Sequence, residues 1–404
     1  MNMKTVLRNS VNGGLRFGKS CSMSLKYKSA TQGTVNRISG AGLKKCIQKS
    51  SAFIVAALLF GSFVNAQPKA GDTLHYADER HFKNIRQLTF GGDNAEAYWS
   101  FDDTRIIFQR TNPKEGILCD QMFIGKLPVN ATDSFTAKQV SKGGRTTCGF
   151  FLPNGKDVLY ASTYLGSDSC PPVPDRSKYN NRYLWPIYES FDIFIAGTNG
   201  KIKKRVTETP GYDAEATLSH DGKKMIFTSM RNGDLDLYVM DLKSKKVTQI
   251  TNEAGYDGGA WFSPDDTKIV WRASRPQTDS AKADYKDLLL KGLVAPTQME
   301  VFIANADGSS AKQITHLGNA NWAPNFTPDG KHIIFCSNHE YKRGFPFNMY
   351  LINLDGSGLE KISRDKGFDA FPMFSYDGKQ IMFSSNRNNG GTRDTNLFVA
   401  DWVE

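Results

Sequence analysis

The 404-residue chain lacks most sequence marks of catalysis. It has no G-x-S-x-G elbow, which leaves a serine hydrolase unsupported. His339-Glu340 is not followed by the spacing of an H-E-x-x-H zinc helix, and no P-loop or strand-led G-x-G-x-x-G occurs. The six histidines are scattered, and without a C-x-x-C pair the cysteines do not read as metal ligands. Asp307-Gly308-Ser309 and Asp355-Gly356-Ser357 begin like calcium loops, lack the remaining ligands and read as turns. Neither a metal nor a cofactor is implied.

Acidic residues are absent from positions 1–66, where ten of the 51 basic residues lie. The remaining 41 basic residues balance the 41 acids, so the formal charge of +10 belongs to the leader and argues against nucleic-acid binding. Lys44, Lys45 and Lys49 precede an apolar run over 52–64, and Val64-Asn65-Ala66 offers a cleavage site before Gln67. The run falls short of the roughly 20 residues of a membrane span. Residues 1–66 are therefore read as a leader with a signal peptide, 67–82 as a linker, and the mature chain as free of membrane spans. A mitochondrial leader and an uncleaved anchor are the competing readings. Cys21 and Cys46 leave with the leader, and in an exported chain the others can pair. The expected disulfide joins Cys148 to Cys170 or to Cys119. Cys336, inside Ile333-Ile334-Phe335-Cys336, reads as a buried free thiol.

What the chain does contain is a phrase repeated six times. An apolar residue followed by Thr or Ser recurs at Leu88-Thr89, Val140-Ser141, Val206-Thr207, Ile250-Thr251, Ile314-Thr315 and Ile362-Ser363. After each of the first five come a strand, a tight turn such as His220-Asp221-Gly222 or Pro264-Asp265-Asp266, an apolar strand, and a strand centred on an aromatic; the sixth pair precedes the last such unit. Four short strands repeating every 44 to 66 residues or so predict propeller blades. The last unit stops at its third strand, Asn396–Trp402, while Ile85-Arg86-Gln87-Leu88-Thr89 has no third strand before it. The predicted fold is all-β: a six-bladed β-propeller over 83–404, closed by the N-terminal strand completing the last blade.

Naming the strands A to D from the axis outward, the A–B and C–D turns share one face and are short. The B–C and D–A loops share the other, with long insertions after Thr163 and after Ala273 and a short helix expected over 281–293. On that face Asp213 and Arg231, Asp257 and Arg275, and Asp369 and Arg387 each lie 18 residues apart. They are read as ion pairs at the channel mouth, either pinning the hairpins or orienting a ligand. Tyr212, Tyr256 and Phe368 precede these acids, Trp322 follows Asn321, and Trp185 stands in the Pro- and aromatic-rich second-blade insertion. Aromatics beside charges serve as interface anchors or as blade packing.

The phrases Phe262-Ser263-Pro264-Asp265-Asp266, Phe326-Thr327-Pro328-Asp329-Gly330 and Phe374-Ser375-Tyr376-Asp377-Gly378, with Leu237-Tyr238-Val239-Met240-Asp241, resemble the WD40-like PD40 repeats of TolB-type propellers. The resemblance covers about residues 83–404. It implies a periplasmic or secreted propeller that works by binding other proteins, as TolB binds a peptidoglycan-associated lipoprotein. TolB also carries an N-terminal α/β domain, for which residues 67–82 are too few. The resulting expectation is a monomeric binding or scaffold module for an envelope protein or peptide. The alternative is a propeller enzyme, a glycan lyase or hydrolase, working at the channel mouth.

Overall fold

A computed structural model describes residues 74–129, 133–342 and 344–404. The leader therefore lies outside the described residues, as does the linker before residue 74. Six four-stranded antiparallel sheets follow one another along the chain. Their A strands are Asp93–Trp99, Thr146–Phe151, Asp213–Leu218, Asp257–Phe262, Asn321–Phe326 and Asp369–Phe374.

The sixth sheet holds the two ends of the propeller together. Phe82–Gln87 forms its outer strand against Asn396–Trp402, with Arg86 opposite Val399 and Gln87 opposite Phe398. The Leu88 amide continues the ladder by donating to the Leu397 carbonyl at 2.8 Å. Closure of the ring by the N-terminal strand is thus observed.

The recurring apolar-Thr/Ser pair has a physical cause. At the end of each D strand the hydroxyl accepts a backbone N–H from strand C. Thr89 takes that of Leu397, Ser141 that of Met122 and Thr207 that of Ile193. Thr251, Ser363 and Thr315 do the same for Leu237, Met349 and Val301. Each bond satisfies a buried donor as strand D peels away. The preceding apolar residue is buried in the core at Leu88, Val140, Ile314 and Ile362 and partly buried at Val206 and Ile250.

The A–B turns are self-sufficient in a similar way. Ser219 donates to Asp221, and its hydroxyl accepts the Lys224 amide; Ser263 with Asp265 and Lys268, and Ser375 with Asp377 and Gln380, repeat the arrangement. The turn ends on a left-handed residue, usually glycine, as at Gly222 with φ 67°. Where Asp replaces that glycine the side chain reaches another blade. Asp266 accepts the amides of His220 and Asp221, and Asp103 those of Tyr376 and Asp377.

The insertions of blades 2 and 4 meet. Trp185–Pro186 pairs with Leu293–Val294 as a two-stranded ribbon. The expected helix forms over Asp279–Leu290, capped by the Thr278 hydroxyl accepting the Ala281 amide. Arg182 grips Asp284 through both nitrogens at 2.7 Å. A disulfide between Cys119 and Cys170 ties the second-blade insertion back to strand C of blade 1. This corrects the expected pairing, because Cys148 is a buried free thiol. Cys148 stands on an inner A strand, where its thiol donates to Glu96. Cys336 is buried and free, as expected.

Candidate functional site

Every A strand is interrupted by a bulge at the same place, between Ala95 and Tyr98 in blade 1 and at the matching positions of the other five. The bulged residue always has positive φ: Glu96 at 51°, Cys148 at 51°, Glu215 at 57°, Gly259 at 61°, Ala323 at 49° and Phe371 at 55°. A bulge re-aims a side chain, and these six, one per blade, line a common axial cavity. Side chains other than glycine pay about 1–2 kcal/mol for this conformation, so the ring is a built feature of the fold.

Glu215 is the best-connected member of the ring. It accepts from Arg272 at 2.7 Å, from the Tyr256 hydroxyl at 2.6 Å, from the Gly259 amide at 2.8 Å and from Thr228 at 3.0 Å. Gly258 and Gly259 make room for this: a Cβ on Gly258 would stand 2.2 Å from Glu215 Oε2, and one on Gly259 2.1 Å from Arg272 Nη1. Arg272 lies over the rings of Trp185 and Tyr256, so the lid insertion seats directly on the channel cluster. Burial pushes the Tyr256 hydroxyl well up, which keeps it a proton donor to Glu215.

The predicted ion pairs all form. Arg231 meets Asp213 at 3.0 Å, Arg275 meets Asp257 at 2.7 Å, and Arg387 meets Asp369 at 2.8 Å. Their location differs from a ring around the mouth. Arg231 lies over Phe227 and Tyr238, Arg275 over Phe302, and Arg387 over Phe383 and Tyr76, so the guanidinium groups reach across strands B and C. The same position in blade 5 puts His339 on Tyr350, and in blade 2 Tyr164 on Phe194. In blades 2 to 6 the residue 18 after the first of strand A thus covers the blade's aromatic seam; in blade 1 Arg110 lies over Phe123 instead. The acids are wholly buried; desolvation pushes Asp257 up to about 7 against the pull of Arg275.

The predicted aromatics divide into two groups. Tyr212 packs inward on Phe191. The others join a ladder on the face of the insertions. Trp185 meets Tyr256 and Trp322; Trp322 stacks on Phe347 at 4.6 Å; Phe347 and Phe345 both meet Phe368, and Phe368 meets Phe371 of the axial ring. Trp322 is fixed by its indole N–H donating to the Pro296 carbonyl. Tyr183 and Phe345 are the exposed ends, at 44% and 65%. Sequence reading missed the axial residues Glu96, Glu215 and Arg272. For the two glutamates only position could have pointed to them: the ring residue lies two after the first residue of the A strand in blades 2 to 6 and three after it in blade 1.

PD40, the TolB beta propeller domain, matches residues 191–284 and 293–393. A protein assigned as TolB from Agrobacterium tumefaciens superposes with a TM-score of 0.50 at 17% identity, covering 79% of this chain and 97% of that one. The chain is a TolB-like six-bladed β-propeller built of PD40 repeats. TolB from Acinetobacter baumannii gives a TM-score of 0.49 at 17% identity over 70% of this chain and 57% of that one. An oligogalacturonate lyase in complex with manganese gives 0.44 at 13% identity over 79% and 93%. No curated protein matches the sequence. Among the described residues of this TolB-like propeller, no group of three or more His, Cys, Asp or Glu could hold a metal ion.

Proposed function

We propose that this TolB-like propeller is an exported binding module that captures an envelope protein or peptide on the face of its B–C and D–A loops. The observation that carries this reading is the clasp between two insertions distant in sequence, which holds an aromatic ladder with Tyr183 and Phe345 exposed at its ends. Rigid, partly exposed aromatics beside a closed ring are the residue types that dominate interface energies. The buried Asp–Arg pairs frame that face, and Trp185, Trp322 and Phe368 supply its anchors. The Cys119–Cys170 bridge supports an oxidising compartment, in line with a periplasmic or secreted location.

The test is capture from an envelope extract by the wild-type propeller and by the double variant Tyr183→Ala, Phe345→Ala. Both side chains are exposed, so melting temperature should change little. The double variant should retain less than about a tenth of the captured partner, a loss of the size expected when two anchors go. Undiminished capture by the folded variant would reject this face.

A further inference from the structure

The axial channel has a second side that the aromatic face does not use. Tyr98 and Trp261, with ring centroids 5.1 Å apart, line both a small inner cavity and a larger cleft walled by residues of the A–B turn side, including Phe150, His220 and Tyr376. They stand where the two meet. The inner cavity also holds Glu96, Glu215 and Arg272.

The two glutamates are not equivalent. Glu215 has Arg272 as its counter-charge. Glu96 receives only neutral donors: the Cys148 thiol at 3.2 Å, the Tyr98 hydroxyl at 3.3 Å and the Gln109 amide at 3.5 Å. No cation stands within ion-pair distance of it among the described residues, and the one cation lining the cavity is already bonded to Glu215. Burial pushes the Glu96 carboxyl up, and the Cys148 thiol and the more distant charge of Arg272 pull only partly against it. Charges inside proteins are ordinarily paired, since leaving one uncompensated is costly. The neighbouring groups suit one kind of partner. Indole and phenol faces attract cations.

We propose that the inner cavity binds a cationic group on a slender aliphatic stem, a primary ammonium or a guanidinium, entering from the A–B turn side past Tyr98 and Trp261 with Glu96 as its counter-charge. A free alkylamine and a Lys or Arg side chain of a partner carry the same chemistry. Trp261 gains a charge against its ring on binding, so its emission reports occupancy.

Calorimetry and tryptophan emission on the whole propeller should separate these cases. The probes are n-butylammonium, n-butylguanidinium and neutral n-butanol, with a capped lysine peptide and its norleucine twin. The cations should bind at least tenfold tighter than butanol, or the lysine peptide at least tenfold tighter than its twin; the first result assigns a free amine, the second a partner side chain. Glu96→Gln should remove the preference, while Asp287→Asn, exposed on the lid helix, should keep it. Should Glu96→Gln fail to fold, Trp261→Leu must still weaken cation binding severalfold. The proposal falls if butanol and norleucine bind as well as the cations, if Glu96→Gln retains the preference, or if no cation binds at millimolar concentration. Capture on the opposite face is read separately and would survive such a failure.

Discussion

The two faces of the propeller are built on opposite plans. On the turn side the same short Ser-x-Asp device recurs, and blades touch through single carboxylates such as Asp103 and Asp266. On the loop side no two blades are alike. Blade 2 and blade 4 send out insertions that grip each other, blade 1 anchors one of them by a disulfide, and residues 75–81 dock against blades 5 and 6. Repetition preserves the ring, while departures from repetition concentrate on one face and gather its exposed aromatics. Within that face, ties that hold the ring and ties that hold the lid can be told apart by burial.

Arg387 is the deepest of the ring ties. It is fully buried between Asp369 and Glu79, both also at 0% exposure, and donates a further bond to the Leu74 carbonyl. Removing it leaves two buried carboxylates unpaired, so Arg387→Ala should cost about 3–5 kcal/mol. By contrast Arg182→Ala breaks an exposed pair and should cost no more than about 1 kcal/mol. Equal melting temperatures for the two would erase the distinction between ring and lid. The disulfide comes next. Replacing Cys119 and Cys170 together by Ser should lower stability by about 2–4 kcal/mol. Partner capture should fall as well, because the insertion loses its anchor to blade 1. Full capture at an unchanged melting temperature would show that the Arg182–Asp284 grip and the ribbon suffice without it.

The ring was legible because its signals are local and repeated. Thr89, Ser141 and their equivalents mark strand ends through one hydrogen bond each, and the A–B turns carry their own acceptors. A missing fourth strand at the C-terminus and a spare one near Leu88 left a single simple closure. The Asp–Arg pairs were legible for the same reason, since residues across a hairpin keep a constant spacing. Their direction was not. Whether Arg231 points to the axis or back over Tyr238 depends on the bulge two residues after Asp213, and a bulge has no residue signature when its occupants are Glu, Cys, Gly, Ala and Phe. Cys148 was assigned to the disulfide for want of that information. The clasp between Trp185 and Val294 joins residues 109 positions apart, and nothing in either segment names the other.

The smallest effect asked of the comparison lies on the turn side, at Asp266. Its φ of 58° is the left-handed value that glycine fills in the turns ending on Gly222, Gly330 and Gly378. Backbone preference alone therefore predicts that Asp266→Gly relieves strain by about 1 kcal/mol. The Asp266 carboxylate, however, accepts the His220 amide at 2.6 Å and the Asp221 amide at 2.9 Å, joining blade 4 to blade 3. Charge-assisted bonds of this kind are worth about 1.5–3 kcal/mol each in sheltered settings and less at a surface. Two of them at an exposed turn should outweigh the strain slightly, leaving Asp266→Gly about 1 kcal/mol less stable by thermal or urea melting. A variant more stable than wild type would mean that the clamp is a passive neighbour contact and that the turn face is held by its hairpins alone. Asp103→Gly, which faces Tyr376 and Asp377 in the same way, should give the same sign.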